Sequence, residues 1–163
     1  MLDWFLIILA LAAGGGGSMP GGTMSTGSAT VAPEAPGLVA EPQVPTGKFT
    51  TATEVKPILT ATKANWVAIR DYDGQDLLYV THLLAWRCGL DAIFFSVNGG
   101  AEERWKTEPC YEGEATPNAQ KGQAFLPFNS YPLGSVASLS VRIVFDDGTE
   151  DAAKYQRKAV LMP

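Results

Sequence analysis

Histidine occurs once in this chain, cysteine twice, and no lysine, arginine or histidine precedes Lys48. Each scarcity removes a class of function. One histidine and two cysteines fall short of the three or four ligands that a zinc centre draws from His, Cys and carboxylates. They also leave a cysteine nucleophile without a base. On a strand His82 and Cys88 would stand about 20 Å apart, and on a helix they would point to different faces. His82 therefore reads as a partly buried strand histidine. The chain has no Gly-x-Ser-x-Gly elbow, no Walker loop and no Gly-x-Gly-x-x-Gly turn, so no catalytic residue and no cofactor is expected. Basic residues never run longer than Arg157-Lys158. That excludes the counterion-releasing face of a nucleic-acid binder and disfavours anionic membrane surfaces.

What is present begins with an apolar run, Trp4 to Ala13. It is too short for the roughly 20 residues of a spanning helix, but it suits the h-region of a signal peptide. Ala10 and Ala12 are spaced as the small residues of a cleavage site, whereas the preceding residues hold Asp3 and no basic side chain. Two explanations fit: a true start upstream, or a poorly cleaved anchor, which would be the chain's only membrane contact. A lipoprotein is not expected, because no cysteine follows the run. Residues 14–47 are Gly, Pro, Ser, Thr and Ala with scattered Glu, too little apolar surface to offset ordering entropy. They read as a disordered tether stiffened by Pro33, Pro36, Pro42 and Pro45. The expected organisation is thus a signal or anchor at 1–13, a linker at 14–47 and one domain at 48–163, placed in the periplasm or secreted.

The domain reads as mainly β, a small antiparallel sandwich or open barrel with one short N-terminal helix. Thr51 and Glu54 stand at capping-box spacing, with Val55, Ile58 and Leu59 following at helical period. Pro57 belongs in a first turn, which places the helix start near Thr53. Strands are expected at 65–72 and 77–84 around Asp73-Gly74, at 92–97 before Asn98-Gly99, at 139–145, and at 152–158 after Asp147-Gly148. Residues 77–90 are apolar enough to be helix instead.

Cys88 and Cys110, an even pair with nothing left over, read as a disulfide in an oxidising compartment. Two acidic turns, Asp71, Asp73 and Asp76 around Gly74 and Asp146, Asp147 and Asp151 around Gly148, invite a calcium reading. Their spacing departs from an EF-hand loop, and hairpin chemistry explains them more simply. The aromatics Trp66, Tyr79, Trp86, Phe94, Phe95, Trp105 and Tyr111 are expected mostly in the core. Trp86, Arg87 and Trp105 are the candidates for an exposed binding patch, because the disulfide joins their neighbourhoods and Trp and Arg favour hot spots. Glu102, Glu103, Glu108, Glu112 and Glu114 form the only carboxylate pool for a glycosidase-like acid–base pair.

The segments Trp66 to His82, Ala85 to Leu90 and Val160-Leu161-Met162-Pro163 resemble small exported proteins of unassigned function from Rhodobacter-type alphaproteobacteria. The resemblance spans about Thr46 to Pro163. It implies a Gram-negative envelope location and brings no catalytic residues. The expected role is a non-catalytic accessory module that contacts an envelope protein. A carbohydrate- or peptidoglycan-binding domain using exposed tryptophans is the alternative, and a carboxylate-based hydrolase comes third.

Overall fold

The computed structural model of the chain describes residues 38–122 and 124–163. The apolar run at 4–13 and most of the expected linker lie outside the described residues. Glu54 starts the first element by reaching back to the N–H and hydroxyl of Thr51, at 3.2 and 3.0 Å. This box opens helix α1, Ala52–Ala61, one residue before the expected start. Pro57 therefore sits past the first turn. It leaves the carbonyl of Thr53 without a helical donor, at an exposed residue where water can serve it. The buried side of α1 is Ala52, Val55 and Leu59.

Seven strands follow among the described residues, and the structure is mainly β, as the alternation implied. β1 (Ala68–Tyr72), β2 (Gln75–Tyr79) and β5 (Phe128–Pro132) form an antiparallel sheet in the order β1-β2-β5. β3 (Leu90–Val97), β4 (Glu103–Arg104), β6 (Ser138–Phe145) and β7 (Glu150–Gln156) form a second, in the order β4-β3-β6-β7. Asp73 and Gly74, at φ 49° and 74°, close the β1–β2 hairpin. Asn98 and Gly99 sit at φ 53° and 72° beyond β3. These left-handed pairs are what a two-residue turn needs to match strand twist. Ile69 and Leu78 from one sheet join Ile93, Phe95, Val141, Ile143 and Phe145 from the other in a single core, which α1 closes through Val55 and Leu59.

The ambiguous stretch at 77–90 is both strand and helix. β2 ends at Tyr79, a helical turn α2 covers Thr81–Leu84, and a 3-10 turn covers Arg87–Gly89. His82 therefore lies on a helical turn, not a strand. The last expected strand also stops early, because Arg157–Val160 turns into helix α3. β4 and β5 had no counterpart in the sequence reading.

Cys88 and Cys110 are joined in a disulfide, with their Cα atoms 4.9 Å apart. It ties the 3-10 turn to the long connection between β4 and β5. Arg87 completes that anchorage. It is buried, and its guanidinium donates to the carbonyls of Asn118 (2.6 Å), Ala119 (2.8 Å), Pro109 (3.0 Å), Glu108 (3.1 Å) and Leu84 (3.3 Å). Burial pushes its pKa down, and the nearby Glu108 and Tyr111 pull it back up. Residues 38–47, read as the end of a linker, lie along the domain: the Glu41 N–H donates to the Asp146 carbonyl at 2.7 Å.

Candidate functional site

Strand alternation fixes which side chains the three-stranded sheet turns outward. Ile69 and Leu78 point into the core, so Ala68, Arg70 and Tyr72 of β1, with Leu77 and Tyr79 of β2, lie on the opposite face. The register then sets rows across the sheet. Ala68, Tyr79 and Phe128 form one, and Arg70, Leu77 and Ser130 the next. Tyr79 and Phe128 touch, their ring centroids 5.3 Å apart. The Arg70 guanidinium lies 5.0 Å from the centre of the Tyr72 ring. Leu77 is only 8% exposed although it belongs to this outer face.

At one end of this face lies a pocket of about 390 Å³. Trp66, Val67, Ala68, Tyr79 and Met162 supply apolar wall, and Asn65, Arg70, Thr81 and His82 supply polar groups. Three separate parts of the chain build it. The approach to β1 brings Trp66, whose Nε1 donates to the Leu59 carbonyl at 2.9 Å. Helix α2 brings His82. The C-terminal residues bring Met162, because Leu161 bridges Ile69 in parallel and the Met162 N–H donates to the Ile69 carbonyl at 2.7 Å.

His82 has a defined tautomer. The Thr62 hydroxyl spends its one proton on the Ile58 carbonyl at 2.7 Å. Its contact with His82 Nε2 at 2.8 Å therefore has the imidazole as donor. Burial pushes the His82 pKa down, which keeps the ring neutral with Nδ1 as its acceptor. A neutral ring, one guanidinium, an amide and a hydroxyl among apolar walls can orient a ligand. No cysteine, serine, lysine or carboxylate is among the described residues that line it.

The residues expected to form a binding patch behave otherwise. Trp105 is 4% exposed and meets Phe95 edge to face at 5.1 Å, so it is a core residue. Arg87 is spent on backbone carbonyls, as above. Trp86 alone keeps partial exposure, packed against Phe49 with centroids 5.1 Å apart. Apart from Asp73, the aspartates considered for calcium have protein partners. Asp76 is fully buried and accepts from Arg157 at 2.5 and 2.8 Å and from the N–H groups of Gly134 and Val136, both at 3.0 Å. Asp71 pairs with the same guanidinium at 2.5 Å, and Asp73 is a turn residue. In the second acidic turn Asp147 pairs with Lys56 and Asp151 with Lys63, both at 2.6 Å.

Three of the five glutamates in the pool, Glu102, Glu108 and Glu114, are already engaged. Glu108 is buried and accepts from the Gly122 and Lys121 N–H groups and the Tyr111 hydroxyl, at 2.7, 2.9 and 2.8 Å. The Lys121 N–H leads the groups that hold its pKa below the usual carboxylate range, the opposite of a general acid's need. Glu102 pairs with Arg142 and Glu114 with Lys121. Glu103 lies exposed on β4, and Glu112 is exposed on the loop beyond Cys110.

Sequence reasoning missed Arg70, Phe128 and Met162 and assigned Tyr79 to the core. Nothing local marked the return of residues 161–162 to β1. No family model, no curated protein and no solved structure matches this chain. Among the described residues no helix is long and apolar enough to cross a membrane.

Proposed function

We propose that this chain is an exported, non-catalytic binding module of the cell envelope that engages a partner protein through the outer face of its three-stranded sheet. The observation that carries this reading is the pocket between Trp66, Tyr79, His82 and Met162. It is concave, mostly apolar, and set beside the aromatic pair of Tyr79 and Phe128. Its size and walls suit an aliphatic or aromatic side chain presented by a partner, with Arg70 at the rim favouring a neighbouring carboxylate. The disulfide fits an extracytoplasmic setting. The N-terminal apolar run and Pro-rich segment fit export and tethering. The glycan alternative draws less support, because stacking needs open tryptophan faces. Trp66 and Trp105 are 0% and 4% exposed, and Trp86 is only partly exposed.

The test is capture from a native envelope fraction, with matched variants. Wild type should retain one stoichiometric protein. Ala68→Arg, which fills the pocket, should lose it, and Lys154→Glu, an exposed residue of β7 outside the pocket lining, should keep it. Equal retention by all three proteins would remove this face from the mechanism. Sedimentation with cell-wall sacculi would instead restore the glycan reading.

A further inference from the structure

The chain has five arginines, and four of them are engaged within the domain. Arg87 donates to backbone carbonyls, and Arg104 donates to the Asp91 carbonyl at 2.7 Å. Arg142 pairs with Glu102 and Glu150, and Arg157 with Asp71 and Asp76. Arg70 differs. Among the described residues its side chain enters no ion pair and no hydrogen bond, and its guanidinium lies 5.0 Å from the centre of the exposed Tyr72 ring. A ring quadrupole attracts a cation but does not neutralise it.

The surroundings of Arg70 supply no negative charge either. Beyond the rows through Ala68 and Arg70, a third row of Tyr72, Gln75 and Pro132 completes the outer face of the sheet. Across these three rows Arg70 is the only charged residue, in a chain whose net charge is −5. The acidic side chains of β1 and β2 alternate onto the other face, where Asp71 and Asp76 hold Arg157. Ala68 and Arg70 both line the pocket. Residues two apart on a strand share a face and stand about 7 Å apart. An apolar seat and an unpaired cation are thus offered at the spacing with which an extended chain presents alternate side chains.

We propose that the segment seated on this face is an extended peptide that places an apolar side chain in the pocket and an aspartate or glutamate, two residues away, on Arg70. The inference rests on the reading of this face as the docking surface, and it adds the chemistry and the spacing of the partner. In an extended segment the residues flanking the apolar one point away from the sheet. A carboxylate there would face solvent and leave the guanidinium unpaired. The fork of a guanidinium also fixes the orientation of a carboxylate, which a lysine at the same position would not do.

The test is a titration of the full chain with end-capped heptapeptides, followed through the amide NMR shifts of Ala68, Arg70 and Tyr79. Capping removes the terminal charges. Gly-Ser-Phe-Ser-Glu-Ser-Gly carries the proposed spacing, Gly-Ser-Phe-Glu-Ser-Ser-Gly makes the pair adjacent, and Gly-Ser-Phe-Ser-Gln-Ser-Gly removes the charge. Each is also made in reverse order, because an extended segment can run either way along β1. In the favoured direction the spaced Glu peptide should bind about tenfold more tightly than both controls. Arg70→Gln should abolish that preference and leave binding of the Gln peptide unchanged. Arg70 is exposed and unpaired, so this variant keeps the bonds of the domain. Ala68→Arg should abolish binding of every peptide. Equal binding of spaced and adjacent peptides, or a preference that survives Arg70→Gln, would overturn the carboxylate assignment alone and leave the pocket reading in place. Absence of shifts on this face with every peptide at millimolar concentration would overturn both.

Discussion

Asp76 offers the sharpest test of how the two halves of the domain are held together. It comes from β2, yet its carboxylate binds Arg157, the first residue of α3 just beyond β7, and the N–H groups of Gly134 and Val136. One buried anion therefore links both sheets and a connecting loop. Asp76→Ala would strand a guanidinium whose side chain is 21% exposed and leave two N–H groups without an acceptor. Removing one partner of a buried pair typically costs about 3–5 kcal/mol. Asp71 still offsets part of the Arg157 charge, so the expected loss is about 4 kcal/mol, a large fraction of an ordinary domain's stability. Urea denaturation at pH 7 with a shared m-value measures it. Acid supplies a second reading. The Arg157 guanidinium holds the Asp76 pKa well below its usual 3.8. Its stabilisation is therefore complete above that value and is lost as pH falls towards the depressed one. Asp76→Asn should remove that part of the acid sensitivity. A loss under about 1 kcal/mol in Asp76→Ala, or unchanged acid sensitivity in Asp76→Asn, would refute the linkage argument.

Arg87→Met keeps the length of the side chain but strips donors from five carbonyls, and should cost about 3 kcal/mol in the same denaturation assay. Gly89→Ala would place a Cβ 2.5 Å from Val55 Cγ2 and 2.9 Å from the Thr51 carbonyl. It should lower stability by about 2 kcal/mol through displacement of α1, seen as a lower thermal midpoint. Reducing the Cys88–Cys110 disulfide should cost on the order of 3 kcal/mol, read from denaturation with and without reductant.

Features written locally were legible in the sequence. Asp73-Gly74 and Asn98-Gly99 signal turns because their backbone conformations depend on their own side chains. The Thr51–Glu54 box and the alternation of β6 are equally local. β5 was not legible, because Phe128–Pro132 combines a proline with polar residues and its pairing is decided by β2. The 77–90 region defeated periodicity because it changes from strand to helix within a few residues. Arg87 and Trp105 were misread for a related reason. A Trp–Arg composition looks the same whether it grips a partner or the protein's own loop, and only burial separates the two. The docking of residues 38–47 along the domain was hidden because Gln43 meets an acceptor more than a hundred positions away. The pocket was hidden because Met162 reaches it through a bridge to β1.

The sheet margins have one further consequence. Each sheet ends in strands whose outer backbone groups could recruit another chain, and every margin is blunted differently. β1 is closed by the Leu161 bridge, and β5 carries Pro132. β4 has only two residues, while β7 presents Glu150 and Lys154. Such margins resist strand-to-strand association. Many copies brought together at high concentration would remain separate units rather than fuse into a continuous sheet.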